Sequence, residues 1–138
     1  MTLTVHTDLR AAFREALLTI KGLPEQHWEG RRYQPTKGRA YVSEQFRPIS
    51  SVARATGIGG TIAHTCTGNF TLHFPADDGT VGIDVMAAKI MDKFSPGSSL
   101  AYGDSTAVVL QAERAPLVQE PDWINCAVIV TVVAYTSR

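Results

Sequence analysis

The stretch from Gly68 to Gly97, GNFTLHFPADDGTVGIDVMAAKIMDKFSPG, limits the fold more than any other part of the chain. Its apolar residues first alternate (Phe70, Leu72, Phe74) and then, past a turn of Pro75, Asp77, Asp78 and Gly79, recur at helical spacing. A period that switches from 2 to 3.6 within a few residues specifies a strand feeding directly into an amphipathic helix. The helix is expected from about Thr80 to Phe94. Ile83, Met86, Ala87, Ile90 and Phe94 form its buried stripe, widened by Val85 and Met91, and Ser95-Pro96-Gly97 ends it.

The other elements follow from the same reasoning. A first helix is capped by Thr7 or Asp8, buries Leu9, Ala12, Phe13, Ala16, Leu17 and Ile20, and closes at Lys21-Gly22. Residues 23–39 form a long connection whose Trp28 folds back onto the core. Tyr41 to Arg47 alternates as a strand that Pro48 is expected to end. Residues 50–60 make a flexible loop or the tip of a long hairpin. The strand Thr61 to Phe74 places Ile62, His64, Cys66, Gly68, Phe70, Leu72 and Phe74 on one face, with a bulge or bend expected at Gly68. Two β-branched strands, Thr106 to Glu113 and Trp123 to Tyr135, complete the pattern. Two helices and a run of strands describe an α+β fold, a mainly antiparallel sheet with both helices packed on one face. The connection through the second helix leaves open whether it joins parallel neighbours. With 138 residues, the chain (1–138) is expected to form a single domain.

The side chains that could carry chemistry are sparse. His64-x-Cys66 points two metal ligands to one side of a strand, but a structural zinc site needs four, so no metal site is expected. Gly57-x-Gly59-Gly60 precedes a strand, whereas phosphate-binding glycine loops open a helix. Asp77, Asp78 and Asp84 could share a cation, yet acids at a helix start are favoured by the helix dipole alone. An apolar strand is the setting of an inert thiol, so Cys66 beside His64 is a poor nucleophile, and an enzyme is the lesser reading. Cys66 and Cys126 are expected to stay reduced, in a cytosol, since no signal peptide is legible at the N-terminus. The longest apolar run, Ala127 to Ala134, is too short to cross a bilayer.

Charge is more informative. Between Arg31 and Arg54 six cations face the single acid Glu44, and between Asp77 and Asp122 eight acids face three cations, within a chain of net charge zero. Such segregation suits head-to-tail association between copies, which closes into a ring where the rotation permits. It is equally met by charges that solvate separate loops or pair within one copy.

Taken in order, DLRAAFREALL, the segment QPTKGRAYVSEQF (residues 34–46), Gly68 to Pro75, the helix ending Asp92-Lys93-Phe94-Ser95-Pro96-Gly97 and the closing strand around Trp123 to Tyr135 resemble the phage tail terminator family of long-tailed, lambda-like phages and prophages. The resemblance implies an α+β subunit that assembles as a hexameric ring on the tail tube protein, stops tube polymerisation and presents the surface for the head-tail connector protein. DNA would pass through the ring lumen. The protein would reside in the virion tail after assembly in the bacterial host cytoplasm. On that reading Arg31, Arg32, Arg39, Arg47 and Arg54 are interface or lumen residues, and Asp77 and Asp78 their partners across the ring. The resemblance supplies no catalytic, cofactor or metal residues and no membrane association. Another neck or minor tail protein, or a small ligand-binding domain or enzyme, are the alternatives.

Overall fold

The computed structural model describes residues 4–54, 60–103 and 105–137. Helix α1 (Val5–Leu18) is followed by strands β1 (Glu25–His27), β2 (Tyr41–Ala53) and β3 (Thr61–Pro75). A 3-10 turn (Ala76–Asp78) leads into helix α2 (Val81–Lys93), and β4 (Ser99–Tyr102), β5 (Ser105–Arg114), β6 (Val118–Gln119) and β7 (Trp123–Ser137) follow. The strands form one curled sheet in the order β1-β2-β3-β7-β5-β4, with β6 added to β7. All pairs are antiparallel except β1 with β2. The fold is α+β, as expected, and the question left open by α2 has a definite answer. β3 and β5 both run antiparallel to β7, so they are parallel to each other but not adjacent. α2 leads into β4 at the far edge, antiparallel to β3, and β7 and β5 lie between the two.

Alternation decides which side of the sheet is covered. Cys66, Phe70 and Leu72 of β3 and Ile124, Cys126, Val128, Val130 and Val132 of β7 point under the helices, against Leu9, Phe13 and Leu17 of α1 and Ile83, Met86, Ala87 and Ile90 of α2. Phe13, Phe70 and Phe94 meet at the centre, with ring centroids 5.4 to 5.7 Å apart. Trp28 folds back onto this core.

Several expectations change for physical reasons. Gly68 carries no bulge: the ladder runs unbroken from Phe46 through Gly68 to Val130. The missing side chain serves packing, because a Cβ there would lie 3.1 Å from both the Phe13 and Phe70 rings. The irregularity sits on β2, between Pro48 and Ser50. Pro48 does not end β2, which continues to Ala53 and pairs with β3 as a long hairpin. Among the described residues no strand lies on the outer side of β2 beyond Ser43, so proline's missing N–H costs no ladder bond. Helix α1 starts at Val5, and Thr7 and Asp8 lie inside it. Buried Asp8 accepts hydrogen bonds from Ser105 Oγ (2.8 Å) and Thr4 Oγ1 (3.2 Å), fastening α1 to β5. Val85 does not widen the buried stripe of α2 but is 50% exposed. Gly57 and Gly59 lie outside the described residues.

Candidate assembly surfaces

Glu44, the single acid of the basic segment, is taken up inside the subunit. Its side chain is 3% exposed and receives Arg14 through Nε (2.9 Å to each oxygen) and Nη2 (2.6 Å), plus the Glu29 amide (3.2 Å). This fork-to-fork geometry is the strongest form of ion pair, and it holds the Arg14 guanidinium above its ordinary pKa. Glu29 pairs with Arg10, and its carboxylate accepts the Phe46 amide (3.0 Å) on the outer edge of β2. That amide first, and Arg10 second, hold the Glu29 carboxyl below its ordinary pKa. β1 thus satisfies the outer edge at Tyr41 to Ser43, and Glu29 satisfies it at Phe46.

From Arg47 onward β2 is exposed along its whole length and forms an arm with the paired parts of β3 and β7. Arg47 and Arg54 are its exposed charges, and no acid occurs in residues 45–54 or 60–67. Ile49 and Val52 stand beside them, 57% and 51% exposed. His64 braces the arm across three strands, with Nδ1 2.7 Å from Ser51 Oγ and Nε2 2.8 Å from Thr136 Oγ1. Burial, and His6 packed edge-on at 5.9 Å, keep His64 below its ordinary pKa. With both ring nitrogens engaged, His64 is no base for Cys66, whose fully buried thiol is pushed up to about 11.

The opposite end of the sheet is built by the 3-10 turn and the start of α2. Asp77 and Asp78 are exposed there, and exposed Val81 and Val85 follow at helical spacing on the outer side of α2, with Ala88 one turn further. Beside them runs a groove of about 390 Å³, with Gln34, Pro35, Lys37 and Gly38 on one wall and Pro75, Asp77, Asp122 and Trp123 on the other. The segment carrying Arg31, Arg32 and Arg39 is fastened by an aromatic ladder, His27–Tyr33 at 5.2 Å, Tyr33–Tyr41 at 5.1 Å and Tyr41–His73 at 4.2 Å between centroids. Asn125 Oδ1 (2.7 Å) and Ser43 Oγ (3.0 Å) hold His73 beneath it.

The seven charged candidates therefore divide. Arg39 shares one end of the sheet with Asp77 and Asp78, Arg31 and Arg32 lie in the segment packed beside β1, and Arg47 and Arg54 stand apart on the arm. Among the described residues the ion pairs are Arg10–Glu29, Arg10–Glu44, Arg14–Glu44 and Arg114–Asp84, so none of the seven is paired within the subunit. Asp84 goes to Arg114 rather than to Asp77 and Asp78, and no three His, Cys, Asp or Glu side chains gather as a metal site among these residues. No described helix is long and apolar enough to cross a membrane. The exposed apolar residues of arm and helix escaped the sequence reading. The 81, 85, 88 spacing, a second apolar stripe opposite the buried one, was the signal for the helix.

Charge unpaired among the described residues thus stands at both ends of the subunit, and comparison with known proteins gives the family. The family model for phage tail terminator proteins matches residues 8–131. The chain belongs to the phage tail terminator family. This is a family of structural proteins, so the tail terminator subunit is a component of the phage tail or neck. No match was found among curated protein sequences. A chain from a solved virion of a native gene transfer agent particle superposes with TM-score 0.66 at 17% identity, covering 98% of this chain and 100% of that one. A second solved structure, whose name states no function, gives TM-score 0.68 at 17% identity over 93% of this chain and 94% of that one. At such identities the two structures support the fold alone.

Proposed function

We propose that this protein caps the tail tube as a ring, hexameric in its assembled form, stops tube polymerisation and offers the surface to which the head-tail connector joins. The family match over residues 8–131 carries this reading. The unpaired charges support it: Arg31, Arg32, Arg39, Arg47 and Arg54 are exposed, as are Asp77 and Asp78, which leaves them available to a neighbouring copy, the tube protein or DNA in the lumen. Capping of this kind works by shape and charge, without a covalent step. Each copy acts as one domain, assembled in the host cytoplasm from a phage or prophage gene.

Electron microscopy of particles made without the gene tests the proposal. Tubes of uncontrolled length lacking heads are expected. Tails of normal length that fail to join heads would instead assign a neck role, and intact infectious particles would refute both.

A further inference from the structure

Two exposed surfaces of this subunit match each other and cannot meet within one copy. The arm carries Ile49 and Val52 between Arg47 and Arg54, with no acid in residues 45–54 or 60–67. The start of α2 carries Val81 and Val85 beside Asp77 and Asp78, with no cation between residues 76 and 88. These two surfaces lie at opposite ends of β3, a strand of 15 residues. Val52 is level with Ala63, 12 residues from Pro75, so at about 3.3 Å per residue the separation is roughly 40 Å.

From this arrangement we infer that the arm of one copy seats on the outer side of α2 of the next, Val52 against Val81 and Ile49 against Val85, with Arg54 over Asp77 and Asp78. The occupant is a second copy of this chain because each surface supplies what the other lacks. An apolar patch beside cations faces an apolar stripe that two acids precede, and complementary charge fixes the register of such a contact. The contact is heterologous, since the two surfaces differ, so it repeats in one direction and closes only as a ring. Glu44 and Glu29 sharpen the design. Being consumed by Arg14, Arg10 and the Phe46 amide, they remove acid from the base of the arm and leave its charge uniformly positive. The inference rests on the ring reading and names the contact that builds the ring.

Cross-linking in assembled tails tests it. Val52→Cys with Val81→Cys in one chain, treated with a short bismaleimide, should give a ladder of covalent oligomers, whereas either substitution alone should stop at monomer. Native Cys66 and Cys126 are buried and stay silent. Leu18→Cys with Val118→Cys, on equally exposed sites, serves as the control and should give no ladder. Absence of a Val52–Val81 ladder in tails of normal length, or an equal ladder from the control, overturns the contact while leaving the terminator role standing. A ladder in particles whose tail length proves independent of the gene supports the contact and sinks the terminator role. As a second test, Arg54→Glu should reduce correctly terminated tails by about tenfold or more, and adding Asp78→Arg should restore them. Full termination by the single variant refutes the charge pairing.

Discussion

Arg14→Ala should be among the most damaging surface-accessible substitutions in this protein, and more damaging than the loss of its partner. Arg14 is the principal cation for Glu44, whose side chain is 3% exposed. Removing one member of a buried pair costs about 3–5 kcal/mol, because the other charge stays buried without compensation. Two features pull the cost to the lower end: Arg10 Nη1 lies 4.0 Å from the same carboxylate, and the Glu29 amide still donates to it. A loss of about 3 kcal/mol, set against an unfolding entropy of about 2.1 cal/mol/K per residue, lowers the melting temperature by about 10 °C. Glu44→Ala should cost about half as much, since Arg14 is 27% exposed and can turn to water while keeping its place over the Trp28 ring, 5.3 Å from its centroid. Replacing both, as Arg14→Met with Glu44→Leu, should be close to neutral. Thermal melts followed by circular dichroism measure all three. If Arg14→Ala shifts the melt by less than about 3 °C, or if Glu44→Ala is the worse of the two, the burial argument fails.

Gly68→Ala should destabilise by about 1–3 kcal/mol in urea unfolding, because its methyl would press on the Phe13 and Phe70 rings; a neutral result would mean that those rings yield freely. Stability should be highest above pH 6.5, the ordinary value for histidine, and decline as the pH falls from there. Burial lowers His64 and His73 in the folded state, so the unfolded chain takes up protons first. Urea midpoints that stay level from pH 7.5 to 5.5 would contradict this. Cys66 should resist alkylation at pH 8 in the native protein and react at once when unfolded, since its thiol is buried and pushed up to about 11; modification without unfolding would show the arm opening.

The long periodic elements were legible because each contains several turns or alternations of the same signal. β3, α2, β5 and β7 fall within a few residues of their expected bounds. Strands β1, β4 and β6 were not, since two to four residues carry no period and pair only because a neighbouring edge offers partners. The continuation of β2 past Pro48 depends on which side of the strand faces a neighbour, and that is set by sheet order. The exposure of Val85 depends on what packs on the far side of α2, which tertiary packing and not helical spacing decides. Charge was the least transparent. Glu44 was counted within the basic segment, but its partner Arg14 comes from a helix 30 residues away. Lys37 and Asp77, from segments of opposite sign in the chain, line one groove.

The position of β7 has a consequence for how the molecule comes to exist. It is the last strand in chain order, yet it runs between β3 and β5 and joins Thr61 to Ser137 and Pro75 to Trp123. Until residues 123–137 are in place, those two flanking strands present open edges toward each other and much of the core has no floor. Closing such distant pairings is slow, and an open edge accepts any strand of matching pattern. Two incomplete chains that meet at this stage each offer the other an edge that fits its β7. An exchanged β7 would link two chains before either could take its place in a tail.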